Sequence, residues 1–207
     1  MADWATIASV ATATGTMVLA VATYAAVRSA NRSTRIAEKS LQLSLQPVLV
    51  PSRPEDPPER VTFLEGFAIE APGGGAAIEA REGNLFVVVP LRNVGSGLAV
   101  VRAGHVSAGR PGRDDPRPSA DAFRQLQRDI YVPPGELGYW QIGIRADDDP
   151  FHAAVDAAAR DGHPITVTLI YSNHFGGHET VSQFVVARGE DGAWITSGTR
   201  HWGIGQR

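Results

Sequence analysis

The chain has 207 residues, enough for one domain of ordinary size and an anchor but not for two full domains besides. Its 19 basic and 22 acidic side chains leave a net charge of -3, a balance that points to no nucleic-acid surface. With no cysteine, structural disulfides, thiol catalysis and cysteine-based zinc sites are excluded.

Residues 5–27 (ATIASVATATGTMVLAVATYAAV) hold no charge, no Pro, no Asn and no Gln. A helix of that length extends about 35 Å, enough to cross a hydrocarbon core of about 30 Å. Trp4 and Tyr24 stand near its two ends, where amphipathic rings favour the headgroup zone. The Thr hydroxyls can bond back to the carbonyl one turn earlier, so they do not forbid insertion. Residues 1–28 therefore read as a transmembrane helix, with the lipid bilayer as the partner of residues 5–27. A cleaved signal peptide needs a basic leading region, and Met-Ala-Asp-Trp carries an acid instead.

After the span come Arg28, Arg32, Arg35 and Lys39, with Glu38 the lone acid. Basic residues close to a span stay cytoplasmic. The expectation is a single-pass protein of the cell membrane, N-terminus outside and C-terminal domain in the cytoplasm. Ala8, Thr12, Thr16 and Ala20, with Ala11 and Gly15, recur at four-residue spacing. Faces of that kind pack closely in lipid, so a homo-oligomer through this helix is a hypothesis to test.

Residues 29–47 read as a juxtamembrane helical connector. Ala30, Thr34, Ala37, Leu41 and Leu45 form a narrow stripe at helical spacing, and Pro47 ends the run. The Pro-rich stretch at 51–59 reads as a short linker or surface loop.

From residue 48 to 207 the pattern is strands and turns. Residues 61–64, 67–70, 84–93, 98–107, 129–132, 137–144, 165–171, 180–186 and 193–197 read as strands, set apart by Gly, Pro and Asn turn signals. Residues 151–160 read as a helix between Asp149-Pro150 and Asp161-Gly162. A shorter helical turn is expected within 119–128, and a final strand or tail over 199–205. Many short strands with frequent turns indicate a β-sandwich, with a barrel as the alternative.

Three motifs carry a resemblance: Leu91-Arg-Asn-Val-Gly-Ser-Gly-Leu-Ala-Val, Val132-Pro-Pro-Gly-Glu and Tyr171-Ser-Asn-His-Phe-Gly-Gly-His-Glu-Thr. They resemble the immunoglobulin-like domains of uncharacterised single-pass membrane proteins of high-GC bacteria. In those domains Asp is commoner where this chain has Asn173. The resemblance implies a mainly β fold: an N-terminal transmembrane helix plus an immunoglobulin-like sandwich with one short inserted helix. It implies no activity.

Chemistry-bearing patterns are sparse. Gly95-Ser-Gly97 follows a strand as a phosphate loop does, but a second strand and not a helix comes next, so a tight turn is expected. His174 and His178 lie four apart across Phe-Gly-Gly and are the candidate metal ligands, without an identifiable third. Asp147-Asp-Asp149 lacks calcium-loop spacing and reads as acids capping the helix that follows. No Gly-x-Ser-x-Gly elbow occurs. No catalytic residue and no cofactor is assigned. The function expected is a membrane-tethered, non-enzymatic binding domain with a protein partner unknown. The alternatives are a metal-binding or enzymatic domain using the His174/His178 turn, and a structural accessory subunit of a membrane complex.

Overall fold

The computed structural model describes residues 3–146, 149–176 and 179–204. It divides into two compact units, Met1–Ser44 and Leu45–Arg207.

The first unit is one uninterrupted helix, α1 (Trp4–Ser44). Neither Gly nor Pro interrupts the sequence between Gly15 and Ser44. The hydroxyls of Thr12, Thr14, Thr16 and Thr23 donate to the carbonyls of Ala8, Val10, Thr12 and Leu19 at 2.8–2.9 Å. No hydroxyl among these four is left without an acceptor in the apolar stretch. The segment Ile7–Glu38 is long and apolar enough to cross a membrane, and its apolar window is entirely uncovered. A helix of 41 residues is about 60 Å long, so α1 outruns any bilayer core. The stretch expected as a helical connector, 29–47, continues the same helix without a break as far as Ser44 and leaves it there.

The second unit contains eleven strands among the described residues: β1 (Leu49–Pro51), β2 (Glu59–Thr62), β3 (Ala68–Ala71), β4 (Ala77–Arg81), β5 (Asn84–Asn93), β6 (Ala99–Ala108), β7 (Arg124–Val132), β8 (Leu137–Ile144), β9 (Ile165–Ser172), β10 (Glu179–Arg188) and β11 (Trp194–Ile204). In one sheet β5 pairs with β8 on one side and with β4 and β1, in tandem, on the other. The second sheet runs β7-β6-β9-β10-β11. Every named pair is antiparallel. The orders β1-β5-β8 and β10-β9-β6-β7 are those of an immunoglobulin-like sandwich, with β11 added at the outer edge.

The inner faces of both sheets supply one core. Leu85, Val87, Val89 and Leu91 of β5 meet Val101, Val106, Val167, Leu169 and Phe184 of the facing sheet, with Trp140 of β8 fully buried among them. Burying an aliphatic or Phe side chain contributes about 1.5–3 kcal/mol, so this layer is the main source of stability. Helix α2 (His152–Arg160) adds Val155, Ala158 and Ala159 to the same core.

β5 is buried on both faces, which explains its unbroken apolar run. Phe86 and Val88 point outward and pack under the β2–β3 hairpin with Val61, Phe63 and Ile69. The rings of Phe63, Phe67 and Phe86 lie 4.8–5.3 Å apart. On the outer face of the five-stranded sheet, Arg200 donates to the carbonyls of Gly112, Arg113 and Asp115, and Arg117 lies over the Trp202 ring at 4.9 Å. The 109–120 loop is thus tied to β11 by its own backbone.

A bulge at Arg102 shifts the register of β6 against both neighbours. Ala99 and Val101 face the core before it, Val106 after it, so the inward parity changes within the strand.

Some elements lie outside those read from the sequence. β1 and β4 carry too few residues to stand out as strands, and their alternation is short. The helical turn expected within 119–128 is a single 3₁₀ turn, Ala120–Ala122, and β7 begins at Arg124, five residues before the strand expected at 129–132. Of the 51–59 stretch, residues 52–58 form the expected surface loop, docked between the end of β1 and the start of β2. Asp56 pairs with Arg92 at 2.5 Å, and the Ser52 hydroxyl accepts the Gly74 N–H.

Candidate functional site

The Asn93-x-Gly95-x-Gly97 motif occupies the turn between β5 and β6. Asn93 is fully buried. Its Oδ1 accepts the N–H groups of Val48 and Gly95 at 3.1 and 3.0 Å, and its Nδ2 donates to the carbonyls of Gly97 and Val132 at 2.7 and 2.9 Å. The Val94 and Ser96 N–H groups donate to the carbonyls of Val48 and Gln46. Residues 45–48 cross directly over the turn: a Cβ on Gly95 would collide with Gln46 backbone, and one on Gly97 with the Leu45 carbonyl. The turn binds the start of its own domain, and its amides are committed to that contact.

A second polar cluster is built around Tyr171. Its hydroxyl accepts the Leu49 N–H at 3.1 Å and lies 2.9 Å from the Ser182 hydroxyl. Ser182 Oγ is 2.9 Å from His201 Nδ1 and donates to the Leu49 carbonyl at 3.3 Å. Burial pushes the Tyr171 phenol up from its usual range. The cluster joins β1, β9, β10 and β11 across the core. Ser182 is 2% exposed and committed to these partners, so its closeness to His201 is structural.

The cleft lies where β7 stops covering β6. Pairing between them ends at Gly104 and Arg124, which leaves the strand beyond it open on that side. The space between β6 and β8 holds about 280 Å³ and is lined by His105, Phe123, Ile142, Ile144, Asp149 and Phe151, among others. Gly104 floors it because the Trp140 indole leaves no room for a side chain: a Cβ there would sit 2.6 Å from the Trp140 Cζ2.

His105 is 8% exposed. Its Nδ1 lies 3.1 Å from the Ala122 carbonyl, so that nitrogen carries the proton and Nε2 the lone pair in the neutral ring. Phe151 meets the imidazole edge-on at 4.9 Å. Burial lowers the His105 pKa from its ordinary 6.5, against the opposing pull of the Ala122 bond and the Asp149 charge. The Asp149 side chain, 5% exposed, accepts the Phe151 N–H at 3.0 Å and pairs with Arg124 at 2.8 Å. Asp149 thus sets the corner into α2 from just outside the helix. Asp147 and Asp148 lie outside the described residues.

His174 is exposed, its ring 3.8 Å from that of Phe175, and His178 lies outside the described residues. Among the described residues, no three His, Asp or Glu side chains are grouped closely enough to hold an ion. Trp140 and Tyr171 are core residues, as expected of sandwich aromatics.

Sequence reasoning missed the cleft. His105, Asp149 and Phe151 come from two segments more than forty residues apart, and no local pattern joins them. One signal was present: Gly104-His105 interrupts a strand of aliphatic residues. Compared with known protein families, curated proteins and solved structures, the chain matches none.

Proposed function

We propose that this protein is a single-pass, membrane-tethered binding module: α1 holds it in the bilayer, and the sandwich recognises a partner on the cytoplasmic face without catalysing a reaction. The observation that carries the reading is the uncovered apolar window of α1. Ile7, Val10, Met17, Val18, Leu19 and Val21 are 50% exposed or more, a face that water does not tolerate and lipid does. Arg28, Arg32 and Arg35 follow the span and favour a cytoplasmic domain.

The non-enzymatic part of the reading is supported by the work its polar motifs do. Asn93, Ser182 and His201 hold strands together. The resemblance to single-pass proteins of high-GC bacteria supports the anchored sandwich and says nothing of activity. No observation favours the His174/His178 metal reading or the accessory-subunit reading over this one.

Fractionation of cells expressing the full chain tests the anchor. The chain is expected in the membrane pellet after washes with high salt and alkaline carbonate, and in the supernatant only with detergent. A full chain that stays in solution without detergent overturns the reading. The absence of cysteine makes orientation readable: Cys introduced at the exposed Asp114 is expected to react with an impermeant maleimide only after the cells are opened.

A further inference from the structure

The cleft between β6 and β8 is rich in hydrogen-bond acceptors and short of donors. His105 spends its ring proton on the Ala122 carbonyl. The Asp149 carboxylate receives an N–H from Phe151 and one from Arg124, about half of what its two oxygens can accept. Asp121 adds a second carboxylate to the lining, and a hydrogen bond from the Ser119 side chain holds its pKa down. Against these stands one guanidinium, Arg124, committed to Asp149 and to the Gly143 carbonyl. Asp121 and Asp149 against Arg124 leave one negative charge unbalanced beside the rings of Phe123 and Phe151, whose faces attract cations.

We infer that this cleft binds a small amphipathic cation: an ammonium group on an apolar arm of about phenethyl size. The ammonium supplies the donors that Asp149 and the His105 lone pair lack, and the arm lies among Phe123, Phe151 and Ile142. A cleft of about 280 Å³ sits just below the range for drug-sized ligands, which sets the size of the arm. An anion meets like charge there. A neutral analogue leaves the negative charge unbalanced. The inference deepens the reading of the sandwich as a binding module and does not depend on the anchor.

The test uses the full chain in zwitterionic detergent, with 2-phenylethylamine as probe and 2-phenylethanol and phenylacetate as uncharged and anionic counterparts. The readout is the His105 imidazole resonance, assigned by its loss in His105→Asn; empty micelles give the partition baseline. The amine is expected to shift that resonance saturably at millimolar concentration. The alcohol should bind at least about tenfold more weakly, the lower end of what a charge-assisted hydrogen bond contributes. Phe151→Ala and Asp121→Asn should each weaken the amine severalfold; Asp121 is exposed, so its variant keeps the fold if Phe151→Ala does not. No saturable shift, equal affinity for amine and alcohol, or full affinity in folded Asp121→Asn overturns the inference. A chain found soluble without detergent would remove the anchor and leave this result standing.

Discussion

The Trp140 indole packs against the backbone of Gly104 on the facing sheet, with no room for a methyl group between them. This contact sets the separation of β6 and β8 at the cleft. Gly104→Ala is expected to destabilise the domain by about 1–3 kcal/mol, the usual cost of overpacking a core. Trp140→Phe removes the ring that a new Cβ strikes, so the double variant should lose less than the sum of the two. Urea unfolding of all four proteins measures the coupling, and strict additivity would show that the two residues do not meet.

Asn93 uses both lone pairs and both protons in burial. Asn93→Ala leaves the Gly97 and Val132 carbonyls and two N–H groups without their partner, at about 1–3 kcal/mol for a buried group left unsatisfied. A loss of at least about 2 kcal/mol is expected. Asn93→Asp, which keeps the acceptor but loses both donors, should recover little. A neutral result in urea unfolding would mean that solvent reaches the turn.

Gly97→Ala must move residues 45–48, because its Cβ meets backbone and not a flexible side chain. The expected result is faster proteolysis within that segment, while far-ultraviolet circular dichroism stays sandwich-like. Unchanged cleavage kinetics would place the 45–48 segment elsewhere.

Burial lowers the His105 pKa below its ordinary 6.5. Between the folded and unfolded values the unfolded chain binds more protons, so stability falls as pH drops below 6.5 and is fully present above it. In His105→Gln that decline should shrink. Denaturation midpoints at about pH 5 and about pH 7.5 in both proteins test the difference.

Asp56 works the same way at lower pH. The Arg92 guanidinium and the Arg53 N–H hold its carboxyl below the usual 3.8. Its contribution is present above that value and is lost as pH falls through the folded pKa. Asp56→Asn should flatten the acid limb of the stability curve and leave the limb near neutrality, where His105 acts, unaltered.

Much of the element content was legible. The limits of β5 and β8 match the expected 84–93 and 137–144, because each is a long β-rich run bounded by turn residues. Helix α2 was marked by Asp149-Pro150 before it and Asp161-Gly162 after it. β4 was not legible, because a five-residue strand of mostly small or charged residues owes its place to pairing with β5. The helical turn expected within 119–128 is present at Ala120–Ala122, but the strand that follows it from Arg124 was not legible, because β6 offers β7 an edge to pair with.

Composition and periodicity alone specify an uncharged helix long enough to span lipid and a mainly β domain behind it. Both follow from patterns within single elements: absence of charge over one stretch, and periods that repeat every few residues. Which polar groups meet is set by the way the strands pack together. Asn93 reaches Val132, and Phe151 packs on His105, through strand register and one bulge at Arg102. Register depends on long-range pairing between strands, and no single strand carries that information.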